Sequence, residues 1–361
     1  MSSPNPIYID DDGTFTNYNN NNVDIYTPNV TSNGNDISNS NNSNSNNIQD
    51  IYNELVKVIE NDHRGEALIK RINDNDIDIN KIISVSGENL LHYCCKKNIP
   101  KVVVLLIKAG INVESLDYNN NTPLMICAIK GSHCIMKLLL DREVSINNKN
   151  AEGITALEFA ASEGKKECVK LLIEYGANVR NSEALVLASE HGYLDVVRLL
   201  LEKGADSSSK ESLIRAVRGG NSLVVKQLLQ DKTTPEEAIT VCAEYDEETC
   251  MRVLLDHLDS DNMHRGVVLH EVVKNSKGLT RLKCLNLLLE NNDINIDYCY
   301  DYHSCSNVTP LMVAIDIWNV HAIKLLLNSG ANVNALNSRL QSALVYGILY
   351  HYYYHYHYHY Y

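Results

Sequence analysis

Two stretches of this sequence carry histidine and cysteine at spacings that suit metal chemistry. Cys299, His303 and Cys305 place three soft donors within seven residues, a set that zinc accepts. No fourth donor stands out beside them, and no Cys-x-x-Cys pair accompanies them, so the expectation is a plain polar loop. The second stretch is the terminal run YHYYYHYHYHYY. Alternating histidines chelate metal weakly, and the simpler reading is a flexible low-complexity tail. The chain has no Ser/His/Asp order, no paired carboxylates in a shared motif and no glycine-rich phosphate loop. Gly219-Gly220 reads as a helix turn. Neither catalysis nor a cofactor is expected.

The elements that would position any site come from an internal repeat. A block of two apolar residues, Lys or Arg, and three more apolar residues recurs. It reads IMKLLL at 135–140, CVKLLI at 168–173, VVRLLL at 196–201 and AIKLLL at 322–327. Looser copies are VVVLLI, VVKQLL, CMRVLL and CLNLLL. The central leucines are Leu106, Leu139, Leu172, Leu200, Leu228, Leu254, Leu288 and Leu326, at intervals of 33, 33, 28, 28, 26, 34 and 38 residues. A second helical stretch precedes each block. Two copies open on Thr-Pro, at Thr122 and Thr309, where Thr caps a helix and Pro fits its first turn. Gly131, Gly164, Gly192 and Gly220 separate the two helices, and Gly110, Gly176, Gly204 and Gly330 end the second. The unit is helix, tight turn, helix, glycine stop and extended loop.

NTPLMICAIKGSHCIMKLLL, GITALEFAASEGKKECVKLLIEYGANV and VTPLMVAIDIWNVHAIKLLLNSGANVNA resemble the ankyrin repeat. The resemblance implies an all-α solenoid of stacked helix–turn–helix units, with hairpin fingers and a concave face made by the first helices. The array is expected over 51–350: a cap at 51–86, repeats at about 87–118, 119–151, 152–180, 181–208, 209–232, 235–260, 265–297 and 307–337, and a partial cap at 338–350. The units at 235–260 and 265–297 are degenerate. The loops after Gly176 and Gly204 are five residues too short for a full finger, so the row of fingers should be broken in the middle. The segment Asn291–Asn307 is longer than usual. Asn98 and Trp318 stand at the interhelical turn; Trp tolerates left-handed geometry poorly, so a different turn is expected at Trp318. His92 and His270 match the family's Thr-Pro-Leu-His position, which implies a structural role bonding across the loops.

The same resemblance puts Tyr93, Ile126, Phe159, Leu187 and Val313 at one equivalent position on the concave side. Lys96, Lys97, Lys130, Glu163, Glu190, Arg215 and Arg218 lie beside them. An apolar ridge flanked by mixed charge suits a protein partner; alternatively the position packs between repeats as core. A second candidate surface is the hairpin tip at Asp117–Asn121, with Asp117 and Tyr118.

Residues 1–50 hold fifteen Asn, six Asp and no Lys or Arg, a composition that favours disorder; 351–361 forms the Tyr/His tail. The net charge of −13 disfavours a non-specific grip on nucleic acid. The longest aliphatic run, Val102–Ile107, is too short to cross a membrane. Ten cysteines, mostly at apolar helix positions, fit a reduced intracellular protein, cytoplasmic or nuclear. The expected function is a protein–protein interaction scaffold or adaptor that needs no cofactor. The alternative, substrate recruitment for a ubiquitin ligase or kinase, would require a recruiting module, and neither flank resembles one.

Overall fold

The computed structural model describes residues 7–9, 15–17 and 42–349, apart from 76, 181, 207–209, 230–235, 259–261, 277–281, 291–293 and 303–304. The chain divides into two units, Met1–Ser45 and Asn46–Tyr361. The first contains a small antiparallel pair: β1 (Ile7–Ile9) against β2 (Phe15–Asn17), with Ile7 opposite Asn17 and Ile9 opposite Phe15. Most of the segment 1–50 lies outside the described residues. Ile7, Tyr8, Ile9, Phe15 and Thr16 are residues that suit a pleated strand. Helix α1 (Asn42–Asn61) also begins ahead of residue 51. The Tyr/His tail lies outside the described residues.

The second unit is a stack of helix pairs. After α1 comes α2 (Glu66–Asp74), and Tyr52, Leu55 and Ile59 of α1 are buried with Leu68 and Ile72 of α2. The spacing of three and four residues puts the α1 trio on one helical face. The following pairs are α3 (Leu90–Lys97) with α4 (Pro100–Lys108), α5 (Pro123–Lys130) with α6 (His133–Leu140), and α7 (Ala156–Ser162) with α8 (Lys166–Glu174). Next come α9 (Ala184–Glu190) with α10 (Leu194–Glu202), and α11 (Lys210–Arg218) with α12 (Ser222–Leu228). Then α13 (Glu236–Tyr245) pairs with α14 (Glu248–His257), and α15 (Asn262–Asn275) with α16 (Lys283–Leu289). A hairpin of β3 (Tyr300–Tyr302) and β4 (Cys305–Val308) fills the long segment before α17 (Pro310–Asp316) and α18 (Val320–Asn328). A last helical stretch covers 343–349.

From α3 to α17 the first helices touch in succession, and from α4 to α18 the second helices do the same. The degenerate units therefore keep the stacking of the regular ones. Each of the eight repeating leucines is the reason: all are at 1% exposure or less, so every unit contributes one fully buried aliphatic group at the same depth. Threonine caps hold the starts. The Oγ1 atoms of Thr122, Thr155 and Thr309 accept the N–H of Met125, Glu158 and Met312, each at 3.3 Å.

The interhelical turn needs one left-handed residue. Gly131 supplies it at φ 74°, and Asn98 at 55°. The expectation of a different turn at Trp318 is corrected: Trp318 takes φ 59°, and its neighbour Asn319 closes the turn as elsewhere by bonding Ala314 O. Asn319 also caps α18 with its side chain and donates to Ser276 O of the preceding repeat at 2.6 Å. These bonds hold the backbone in a conformation that Trp disfavours by itself.

The fingers are turns at Ser84–Glu88, Asp117–Asn121, Asn150–Ile154 and Asn337–Gln341, each closed by a backbone bond from its first N–H to its last carbonyl. In each, the first residue's side chain also accepts two backbone N–H groups of its own turn. Neighbouring fingers are joined by Tyr118 N–H to Ser86 O and by Ala151 N–H to Asn119 O. The row breaks there and resumes where Ser338 N–H bonds Ser306 O of the β3–β4 hairpin. Only seven residues separate Gly176 from Ala184, and the corresponding turn bonds are absent among the described residues.

Candidate functional site

The expected apolar ridge is corrected first. Phe159 is 2% exposed, Ile126 8% and Val313 0%. Successive first helices pack on one another, so at these three residues the position faces the neighbouring repeat and is core. Leu187 is half-buried. Tyr93 is half-buried too, because α3 is followed on one side by the cap and not by a regular repeat. Its hydroxyl donates to Glu60 Oε1 at 2.8 Å. Burial and that carboxylate raise its pKa above the ordinary phenol value.

The finger tip divides in two. Asp117 is 8% exposed, and its carboxylate is used within the turn. Oδ1 accepts from Asn119 N and Asn121 N, and Oδ2 from Asn121 Nδ2 at 3.0 Å. All three of these bonds stay inside the turn. Tyr118 is 70% exposed, with its ring over Gly87, where an added Cβ would come within 2.6 Å of it.

The flanking charges separate likewise. Arg215 bridges Glu190 at 3.1 Å and Glu211 at 2.6 Å, and Arg218 lies over the Tyr245 ring at 5.9 Å. Lys96 and Glu163 are half-buried, whereas Lys97 and Lys130 are exposed. The Lys97 ammonium sits 5.9 Å from the Tyr93 ring centroid, within cation–π reach. Lys97, Tyr93 and the cap together line a cleft of about 700 Å³, whose other walls are Glu60, His63, Arg64, Asn98, Ile99, Pro100 and Lys101. Among the described residues no carboxylate pairs with Arg64, Lys97 or Lys101. Asp62, at the mouth of the same turn, accepts the N–H groups of Arg64 and Ala67 at 3.0 Å.

His92 is buried at the base of the fingers. Nδ1 lies 2.7 Å from Asn89 Oδ1, and Nε2 lies 3.1 Å from Asn121 O of the next finger. Burial lowers its pKa against the partial opposing effect of the Asn121 carbonyl and the Asp117 and Glu88 carboxylates. His270 repeats half of this, with Nε2 2.7 Å from Tyr298 O and Nδ1 without a partner. The residue three places before it is Val267, which offers no acceptor where Asn89 serves His92. Both are the loop-bonding histidines that the repeat pattern implied. Cys299 is exposed and donates to Asp297 O at 3.4 Å; His303 lies outside the described residues, as does the side chain of Cys305. Among the described residues no three His, Cys, Asp or Glu side chains are grouped to hold a metal ion.

The family model described as ankyrin repeats (three copies) matches residues 55–150 and 131–211, and the ankyrin repeat model matches 306–338. Together they cover more than half of the chain. The chain belongs to the ankyrin-repeat family. Relatives match over limited stretches of the chain. The Nuclear factor NF-kappa-B p105 subunit of Gallus gallus is 31% identical over 34% of this chain and 13% of its own length. Inversin of Canis lupus familiaris is 33% identical over 25% of this chain and 8% of its own length. The chain thus spans only about a tenth of these two relatives. A crystal structure of the human ASB11 ankyrin repeat domain aligns with TM-score 0.39 at 18% identity, over 73% of this chain and 98% of that one.

In the ankyrin array, the cleft residues of the cap went unrecognised in the sequence. Glu60 stands 33 residues before Tyr93, one repeat away, which is the signal that could have placed the cap helix beside α3. Arg64 and Lys101 had no motif to mark them. No helix among the described residues is long and apolar enough to cross a membrane.

Proposed function

We propose that this ankyrin array is a non-catalytic protein-binding module, acting as a scaffold or adaptor, whose contact surface lies on its first repeats. The observation carrying this reading is the presence of exposed Tyr118, exposed Lys97 and Lys130 and half-buried Tyr93 on first repeats whose three consecutive fingers are hydrogen-bonded to one another. Aromatic and cationic groups at a partly desolvated surface are the composition of binding hot spots. Ankyrin repeats serve protein recognition in general, and relatives as different as the Nuclear factor NF-kappa-B p105 subunit and inversin match a part of this chain. The protein needs no cofactor for this, and its net charge disfavours nucleic acid as the partner.

The test is photo-crosslinking of the full chain to its partner in cells. A photoreactive phenylalanine would replace Tyr118 or Lys97, and Lys170 on the second-helix side as a control. Crosslinks from the first two positions and none from Lys170 are expected. Crosslinks only from Lys170 would move the contact to the outer helices.

A further inference from the structure

The cleft between the cap and the first full repeat has a chemistry that its surroundings do not. The chain carries a net charge of −13, yet Arg64, Lys97 and Lys101 meet here with His63 beside them. The single carboxylate on the wall, Glu60, is engaged by the Tyr93 hydroxyl. Some basic side chains elsewhere in the array find acids, as Arg71 does in Glu54, Lys166 in Asp195 and Arg215 in Glu190 and Glu211, but the cleft gathers three that do not. Three cations without a carboxylate partner around one concavity repel one another. An anion seated among them would remove that repulsion. Helix α4 also starts at this cleft, with Pro100 in its first turn and no side-chain cap, so its terminal N–H groups add positive potential there.

The basic character continues along one edge. Lys130 occupies the position of Lys97 one repeat later, and the Lys165 side chain lies against the Gly131 turn, 3.1 Å from where a Cβ would stand. Glu163 takes the equivalent position in the third repeat and ends the run. A ligand matching this layout is extended and not compact. It must also offer apolar groups to Tyr93, Ile99 and Pro100.

We infer that the cleft and the adjoining turn edge bind an acidic peptide segment of a partner protein, its Asp and Glu side chains meeting Arg64, Lys97 and Lys101 and an apolar residue lying on Tyr93. This rests on the reading of the array as a protein-binding module and names the partner chemistry for its first repeats.

The probe is a fluorescein-labelled dodecapeptide of Glu and Asp interrupted by two leucines, read by fluorescence anisotropy with the full chain. Its Gln/Asn counterpart and a single-stranded oligonucleotide are the comparison probes. R64E/K97E/K101E should weaken the acidic peptide by at least ~10-fold, and R64Q/K97Q/K101Q by a smaller factor. K137E/K170E/K226E carries the same change in net charge on exposed second-helix positions, and should stay within about twofold of the parent if the effect is local. Circular dichroism checks that each variant is folded, and the Gln variant keeps the test valid if charge reversal unfolds the cap. Equal binding of the acidic and Gln/Asn peptides would overturn the inference, as would equal weakening in both reversal variants or tighter binding of the oligonucleotide. If crosslinks to a partner persist at Tyr118 while the cleft variants bind the peptide normally, the module reading stands and the acidic-segment inference falls.

Discussion

Between Ser84 and Ile154 the ankyrin repeats are joined by hairpin turns that hydrogen-bond to one another, whereas between Gly176 and Lys210 the connections are too short to form such turns. Both regions bury their repeating leucines completely: Leu139 in the first and Leu200 in the second are each 0% exposed. Stacking of helices therefore does not depend on the fingers. The difference lies in the polar links. The fingered region uses turn side chains and backbone, as in Asp117 and the Tyr118 N–H bond to Ser86 O. The finger-less region relies on helix ends, a link that the fingered region also has where Ser132 Oγ donates to Cys95 O at 2.9 Å. Asn221 Nδ2 donates to Ser189 O at 3.0 Å and to Glu190 O at 2.7 Å, and Arg215 spans Glu190 and Glu211. Apolar stacking sets the solenoid, and polar links differ according to the chain length available between repeats.

The largest effects should be the same in both regions. Leu139→Ala and Leu200→Ala each remove a fully buried aliphatic group, at a cost of about 2–5 kcal/mol. Chemical denaturation would measure it. Equal losses within about 1 kcal/mol are expected if stacking is independent of the fingers. A loss at Leu200 several kcal/mol smaller would show that the finger-less middle is packed loosely in solution. Hydrogen exchange adds where the damage goes, since in a nearest-neighbour array protection should fall most in the adjoining pairs.

A smaller effect should divide the two regions. Asp117→Ala deprives the N–H groups of Asn119 and Asn121 and the Asn121 amide of their acceptor in a buried turn, costing about 1–3 kcal/mol. The loss should fall on Ser84–Ile154 and leave exchange in α9 to α12 unchanged. Reduced protection in both regions alike would mean that the fingers support the whole array.

Most of this architecture was legible because it rests on period and on residues with few conformational options. The leucine spacing gave the helix pairs, and Gly131 or Thr122 marked turn and cap by chemistry alone. Trp318 was misread because a local preference was weighed without the side-chain bonds of Asn319 that override it. The ridge was misread for a different reason. Position in a repeat says that Tyr93, Ile126 and Phe159 are equivalent, but exposure depends on what stands next in the stack. Phe159 has a regular repeat on either side, and Tyr93 has the diverged cap. The cleft was invisible for the same cause, since Arg64 and Lys101 become neighbours only once the cap is docked.

The subtlest difference between the regions should appear with pH. His92 ties Asn89 to the next finger through Asn121 O, and burial lowers its pKa below 6.5. His191, in the finger-less region, is exposed. The folded chain holds His92 neutral, while the unfolded chain protonates it near 6.5, so unfolding takes up protons between the two values. Stability from this residue is present above pH 6.5 and is lost as pH falls toward the lowered folded value. The slope is at most about 1.4 kcal/mol per pH unit for one such group. Hydrogen-exchange protection factors compared at pH 7 and 5.5 should therefore fall in the pairs around α3 and α5 and hold steady in α9 to α12. His270 near Tyr298 should produce a second, separate decline, because burial lowers its pKa as well. His92→Gln should flatten the response of the first repeats and leave the decline near His270 in place. An unchanged pH response in that variant would show that His92 does not carry the acid sensitivity of the fingers.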